Sequence, residues 1–228
     1  MKPLLLVGAG GFGREVAQAV VAINEEQATW DLIGFLDDAD ALQGREVDGT
    51  PVVGTIADVR RYPGVQLVVC AGSPRNYFAR KLIVQRLGLP RDRYATLVHP
   101  SAAVAHAAEI GPGSALLAHV VITARATVGA HVAAMPAVVI THDDVVSDYV
   151  TFGAGARLGG GVEVGEGAYV GSGAMVRENV RVGAWSLLGL GSVILEDVPP
   201  AEVWVGVPAR CLRRVTVPPT IRGVVQRP

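Results

Sequence analysis

The sequence predicts an α/β unit followed by a parallel β-helix, and two patterns carry that expectation. From Val98 to Ile194 one apolar residue returns every six positions without an insertion, and the first ninety or so residues alternate apolar runs closed by glycine or aspartate with stretches of helical spacing. The repeat passes through Val104, Ile110, Ile122, Ile140, Phe152, Val170 and Leu188, seventeen positions in all, in a chain that is 50% hydrophobic. Such a series arises by chance about once in 10^5 trials. The next residue is often glycine (Gly111, Gly129, Gly153, Gly165), and the residue two before is small or β-branched (Ala108, Ser114, Val120, Ala126). Neither a 3.6-residue period nor plain alternation explains this. A strand that turns a corner and stacks on the coil below does. Three hexads close one triangular coil of about 18 residues, and coils about 4.8 Å apart give a prism roughly 27 Å tall.

In chain order, residues 2–7 read as an apolar strand ending in glycines, and residues 14–23 as a helix with Val16, Ala19, Val20 and Ile23 on one face. Strands are expected at 32–36 and 65–71, a short edge segment at 52–54, and helices at 56–62 and 75–87, the last stopped by Gly88-Leu89-Pro90. Residues 1–93 thus form a small parallel α/β domain whose ligand belongs at the carboxyl ends of its strands. Residues 94–212 form the coils, with 205–210 folding back on the last one. Residues 213–228, with Pro218, Pro219 and Pro228, form a non-helical, loose tail.

Composition narrows the function. A net charge of −1 and a pI near 6.5 leave no basic footprint for nucleic acid or an anionic membrane surface. Mean hydropathy is +0.37. Even so, the apolar stretch 115–124 is too short to span a bilayer and is flanked or broken by His119, Arg125, His131 and Pro136. The run from Leu4 to Val7 is no signal peptide, so a cytoplasmic protein is expected. Cys70 and Cys211 lack metal or redox spacing, and Cys70 reads as a buried strand residue. No metal is expected.

The hexad [LIV]-G-x-x-[small]-x, with Val-Gly-Ala-Gly-Gly-Phe-Gly at 7–13, Phe-Leu-Asp-Asp at 35–38 and Val-Gly-Val-Pro-Ala-Arg at 205–210, resembles the left-handed β-helix of the hexapeptide acyltransferases. Within them it is similar to the bacterial nucleotide-sugar acetyltransferases related to the sialic acid O-acetyltransferases. Taken alone, Gly8-x-Gly10-x-x-Gly13 with Asp37 at the end of the second strand fits a dinucleotide fingerprint and suggests NAD. Only one mononucleotide half is present, which argues against that ligand, although amides at a helix N-terminus accept any phosphate. The resemblance implies instead a Rossmann-like domain holding a UDP- or GDP-linked amino sugar at Gly10, Gly11, Phe12, Asp37, Asp38 and Gly72. It also implies acetyl-CoA as donor and a homotrimer with donor sites between neighbouring prisms.

Of five histidines, His99, His106, His119 and His131 lack an adjacent acid and read as packing or interface residues. His142 lies in Thr141-His142-Asp143-Asp144, where the chain rounds a corner facing outward, and stacking places the small residues Ala124 and Gly160 in its column, leaving room for substrate. An imidazole is a suitable proton acceptor near pH 7. The resemblance puts the general base here, backed by Asp143. Relatives often carry a second histidine nine positions on, where this chain has Thr151, and the donor is expected along Thr151, Gly160, Ser172 and Leu190. A backbone amide near Gly160 is the candidate oxyanion donor. Arg125 shares a column with Asp143 and is the only formally charged residue between Glu109 and Asp143. So charge-poor a face is expected to be buried in the homotrimer. The resulting reading is acetyl transfer from acetyl-CoA to the amino group of a nucleotide sugar. O-acetylation of a sugar of the sialic acid type, or a non-catalytic sugar-nucleotide-binding scaffold, are the alternatives.

Overall fold

The computed structural model describes residues 1–221. Its N-terminal half-domain is a five-stranded sheet of β1 (Lys2–Val7), β2 (Trp30–Leu36), β3 (Glu46–Val47), β4 (Thr50–Gly54) and β5 (Gln66–Val69), in the order β3-β4-β2-β1-β5. All pairings are parallel except the β3–β4 hairpin, and β1, paired on both edges by β2 and β5, is buried on both faces and reads as continuous Leu-Leu-Leu-Val. Helix α1 (Gly11–Glu26) covers one face through Phe12, Val16, Ala19 and Val20. Helix α2 (Ala79–Leu87) and a 3-10 turn at Ile56–Arg61 cover the other.

Helix α1 extends beyond the expected 14–23 at both ends, because the turn glycines enter the helix at Gly11 and polar residues prolong it on an exposed face. Helix α2 begins four residues later than expected. Residues 73–76 close a turn in which Ser73 Oγ accepts the Asn76 N–H at 3.2 Å, and Tyr77 and Phe78 then turn towards the coils. Phe78 stacks on Trp185 at 5.1 Å, and Tyr77 donates from its hydroxyl to the Trp185 carbonyl at 3.0 Å. Packing across the domains outweighs the local helical pattern there.

Seventeen two-residue strands from Leu97–Val98 to Val193–Ile194 segregate into three parallel faces. The first face carries Ala103–Val104, Val121–Ile122 and Val139–Ile140; the second carries Glu109–Ile110, Thr127–Val128 and Val145–Val146; the third carries Leu97–Val98, Ala115–Leu116, Ala133–Ala134 and Thr151–Phe152. Partners are one coil apart, as in Val121↔Val139 and Thr127↔Val145, and the hexad aliphatics form one buried ladder down the axis. Strands Glu202–Gly206 and Ala209–Arg214 finish the third face as a hairpin.

The coil glycines serve two different needs. Those directly after the core residue have no space for a side chain: a Cβ on Gly165 would lie 2.5 Å from the Ala184 amide nitrogen of the next coil. The corners are turned instead three residues after the core position, where φ is positive in Gly161, Gly167 and Gly173 and also in His119, Arg125, His131, Ala137, Asp143, Tyr149, Asn179 and Trp185. This left-handed column was not foreseen, because many residue types occupy it.

Helix α1 is sandwiched between its own sheet and the third face of the prism, where Leu97, Ala115, Leu117 and Ala133 join its core. The seam is completed by Arg80, only 2% exposed. Its guanidinium donates to the carbonyls of Ala71, Tyr149 and Val150 and to the Thr151 hydroxyl. Among the described residues no carboxylate pairs with it, and burial pulls its pKa down to about 10. Lys81 beside it pairs with Glu166 and lies 5.6 Å from the centres of the Tyr149 and Trp185 rings. The tail is not loose over its described part. The Val215 N–H bonds the Ala201 carbonyl, and Val217 and Ile221 are buried beside Tyr77 and Trp185; residues 222–228 lie outside the described structure.

The two glycine classes should separate in stability. Gly165→Ala is expected to cost about 1–3 kcal/mol, the range for overpacking. Gly173→Asn, at φ +66° with open space around its Cβ, should stay within about 0.5 kcal/mol because asparagine tolerates that backbone. Denaturant melts of the two variants decide it, and equal losses would sink the distinction.

Candidate active site

Two regions gather the candidate residues. The first is a cleft of about 350 Å³ at the carboxyl ends of β1, β2 and β5, lined by Gly8, Gly10, Gly11, Phe12, Asp37, Gly72 and Asn76 among others. A Cβ on Gly13 would lie 2.0 Å from the Gly8 carbonyl oxygen, so the third glycine lets helix and turn touch. Gly10 and Gly11 open onto empty space at the α1 N-terminus, which suits an approaching anion. Asp37 ties the turn: its Oδ2 accepts the Ala9 N–H at 2.8 Å and its Oδ1 the Ala39 N–H at 2.9 Å.

Asp38 does not belong to this cleft. Consecutive residues leaving a strand point to opposite faces, and Asp38 accepts the Ile56 N–H at 2.9 Å and pairs with Arg86 at 2.8 Å on the α2 side.

The second region is the corner between the first and second faces, carrying Thr141 to Asp144. The His142 ring is 66% exposed, and its Nδ1 lies 3.0 Å from Asp143 Oδ2. Asp143 is a left-handed corner residue at φ 61°, stacked on Arg125 at φ 55°. Arg125 Nε sits 3.4 Å from the other carboxylate oxygen, Oδ1, so histidine and arginine share the acid instead of competing for it. The bond from His142 holds the Asp143 carboxyl below its ordinary range, and Arg125 adds to that.

Gly160 lies directly beneath the imidazole. A Cβ there would fall 2.3 Å from His142 Cε1, so the space expected for substrate is filled by the ring itself. The Gly161 N–H is spent on the His142 carbonyl at 3.0 Å, whereas the Gly160 N–H has no acceptor among the described residues.

The expected donor line does not form one face. Only residues a whole coil apart share a column. Ser172 and Leu190 do, and the Gly191 N–H bonds the Ser172 carbonyl accordingly; Gly160 continues the His142 column at a different corner. Thr151 lies on the third face, 5% exposed, with its hydroxyl committed to Arg80. It is a seam residue in this protomer. His131 is buried in the same seam, stacked 5.1 Å from Tyr149 and edge-on to Tyr94 at 4.6 Å; burial, with Arg80 nearby, pushes its pKa down to about 4. Three buried charges, Arg80, Lys81 and Asp144, escaped the sequence reading. Arg80 left no signal, but Asp144 left one, as an acid in the column otherwise held by Ala126, Val132, Val138 and Val150. Among the described residues no group of three or more His, Cys, Asp or Glu side chains could hold a metal ion.

Residues 3–87 match the PglD N-terminal domain. The acetyltransferase domain of PglB from Neisseria gonorrhoeae, solved with acetyl coenzyme A, is 32% identical, with 92% of this chain and 99% of that one covered and a TM-score of 0.82. The chain belongs to the hexapeptide-repeat acetyltransferases. This family draws its acetyl group from acetyl-CoA. A second family member, perosamine N-acetyltransferase from Caulobacter crescentus solved with CoA and GDP-perosamine, is 29% identical over 92% of this chain and 97% of its own, with a TM-score of 0.81. UDP-N-acetylbacillosamine N-acetyltransferase of Bacillus subtilis is 36% identical over 120 residues, which span 52% of each chain. The chain thus matches about half the length of that curated relative.

Replacing Arg125 with glutamine should move the Asp143 titration midpoint upward while leaving it depressed by the remaining His142 bond. Carboxyl carbon NMR reads this directly. An unmoved midpoint would mean that solvent screens the pair, whose arginine side chain is 78% exposed.

Proposed function

We propose that this chain transfers the acetyl group of acetyl-CoA to the amino group of a nucleotide-linked amino sugar, UDP- or GDP-linked, with His142 as general base. The observation that carries the reading is the exposed His142–Asp143 pair, its acid held ionised by two partners, on a glycine step that exposes a free amide. In the reaction the sugar nitrogen attacks the thioester carbonyl carbon and the neutral imidazole takes its proton. The Gly160 N–H is directed to the developing oxyanion, the C–S bond breaks, and the proton passes to the departing thiolate. The products are an N-acetylated sugar and free CoA. No covalent intermediate and no metal are required.

The cleft at Gly10, Gly11, Phe12, Asp37 and Gly72 is assigned to the nucleotide sugar, with the α1 N-terminus facing its phosphates. Ser172 and Leu190, one above the other at an open corner, remain donor candidates; Leu190 is 84% exposed. The relatives named for bacillosamine and perosamine support N- over O-transfer. The pairing of an acid–base dyad with an open cleft favours an enzyme over a binding scaffold.

A homotrimer is part of this reading. The α/β domain covers the third face, whereas His142 occupies the opposite edge, between the first and second faces. A sugar held in one protomer's cleft therefore needs the base of a neighbour. The charge-poor stretch before Asp143 supplies a surface for such packing. No helix among the described residues is long and apolar enough to cross a membrane. On this reading the enzyme belongs to the cytoplasm.

His142→Ala should fold normally and lose on the order of 10^2 to 10^4 in kcat, measured by thiol release from acetyl-CoA across UDP- and GDP-linked amino sugars. Retention of more than half the wild-type kcat would remove His142 as base. Light scattering at micromolar concentration should give three times the 23.7 kDa chain mass, and a monomeric mass would overturn the shared site.

A further inference from the structure

Asp144 is the one acid in the inward column of the coils. That column is otherwise alanine, valine or serine, and the Asp144 side chain has no exposure to solvent. Burial pushes its carboxyl up to about 6, against the lowering effect of its hydrogen bonds and of His142. A buried charge at such cost needs a structural return. Its two oxygens have separate duties. Oδ2 accepts the Thr141 N–H at 2.6 Å, closing the turn that carries His142, and Oδ1 accepts the Val162 N–H at 2.8 Å, one coil below.

The second bond replaces the usual one. In several other coils the amide at the position of Val162 reaches back three residues: Ala156 to the Gly153 carbonyl, Ala168 to Gly165, Ala174 to Gly171. At Val162 the amide is drawn up to Asp144 instead. Two residues before Val162 stands Gly160, the platform under the imidazole. Ser114 does part of the same work elsewhere, accepting the Val132 N–H at 2.9 Å while giving its own proton to the Gly129 carbonyl. A hydroxyl serves one donor in this way. Only a carboxylate meets two N–H groups with two acceptors.

We propose that Asp144 is a positioning residue for His142, its carboxylate fixing the turn that carries the base to the coil on which the base rests. The inference rests on the reading of His142 as general base. Asp144 touches no reacting atom and acts only through the orientation of the ring. The charged and titratable groups around it are His142 and Asp143 on its own turn and Arg125 on the coil above; the coil below presents Gly160, Gly161 and Val162, none of them charged.

The decisive variant is Asp144→Asn, which keeps the shape but turns an NH2 towards one of the two N–H groups. The readout independent of substrate is the tautomer of His142 by nitrogen NMR in the full-length protein, its signal identified by loss in His142→Ala. Wild type should hold the form with a proton on Nδ1, bonded to Asp143, and Asp144→Asn should shift towards the mixture of a free imidazole. On the UDP- or GDP-amino sugar that the wild type turns over, kcat should fall by about 10- to 100-fold, the scale of a displaced catalytic group, with KM for acetyl-CoA within about twofold. Asp144→Ser, able to accept one N–H as Ser114 does, should lie between the two. An unchanged tautomer and kcat in Asp144→Asn, while His142→Ala is inactive, would overturn this inference and leave the base intact. Full activity in His142→Ala would instead sink the base reading. Loss of cooperative folding in both Asp144 variants would also overturn the inference, making Asp144 a residue of the fold alone.

Discussion

Every feature of the coil domain depends on one constraint: backbones of successive coils stack in register. That register leaves no volume for a side chain above the eight glycines that follow core aliphatics. It also fixes three corners per coil, each turned by a residue of positive φ. The chemistry inherits this frame. Asp143 and Arg125 meet because both are corner residues of one column, and His142 lies flat because the residue one coil below it lacks a side chain. No long-range search of conformations is needed to bring these groups together; the stacking does so.

The α/β domain is joined to the prism by a different kind of interaction. Arg80 gathers carbonyls from the loop after β5 and from the corner at Tyr149 and Val150. Around it His131, Tyr149, Trp185, Tyr77 and Phe78 form an aromatic seam. A cation bonded, among the described residues, only to carbonyls and a hydroxyl is a costly device, and it holds one wall of the cleft at the α1 N-terminus, at Ala71 and Gly72, to the coil domain. The cleft and the prism are therefore one mechanical unit.

The hexad made the coil legible to the residue, since its seventeen aliphatics are the strands and core observed. The glycine turn, β1, β2 and the His142–Asp143 pair were legible for similar reasons, being local patterns. What escaped was set by contacts distant in sequence. Phe78 is apolar at a helical spacing yet leaves the helix for Trp185, and Asp38 is an acid beside a cleft it does not enter. Thr151 sits at a suggestive spacing from His142 but faces Arg80. The corner column was invisible because His, Arg, Asp, Tyr, Asn and Trp all occupy it. Asp144 was the opposite case, an anomaly plain in the sequence whose meaning appeared only with its two amides.

The stacking rule also governs how such a chain can change over evolution. Adding one whole coil lengthens the prism and returns every later residue to its former column, so the dyad and the hairpin cap keep their faces, and the seam survives wherever the new coil does not separate Tyr149 from Trp185. Adding a single hexad preserves the core ladder equally well but rotates everything after it onto the next face. The aromatic residues that meet Tyr77 and Phe78 would then point away from the α/β domain. Variation in length among descendants of this chain should therefore come in units of three hexads placed outside the span from Tyr149 to Trp185, both ends of which the α/β domain holds at once, and in single hexads only where no partner waits on a particular face.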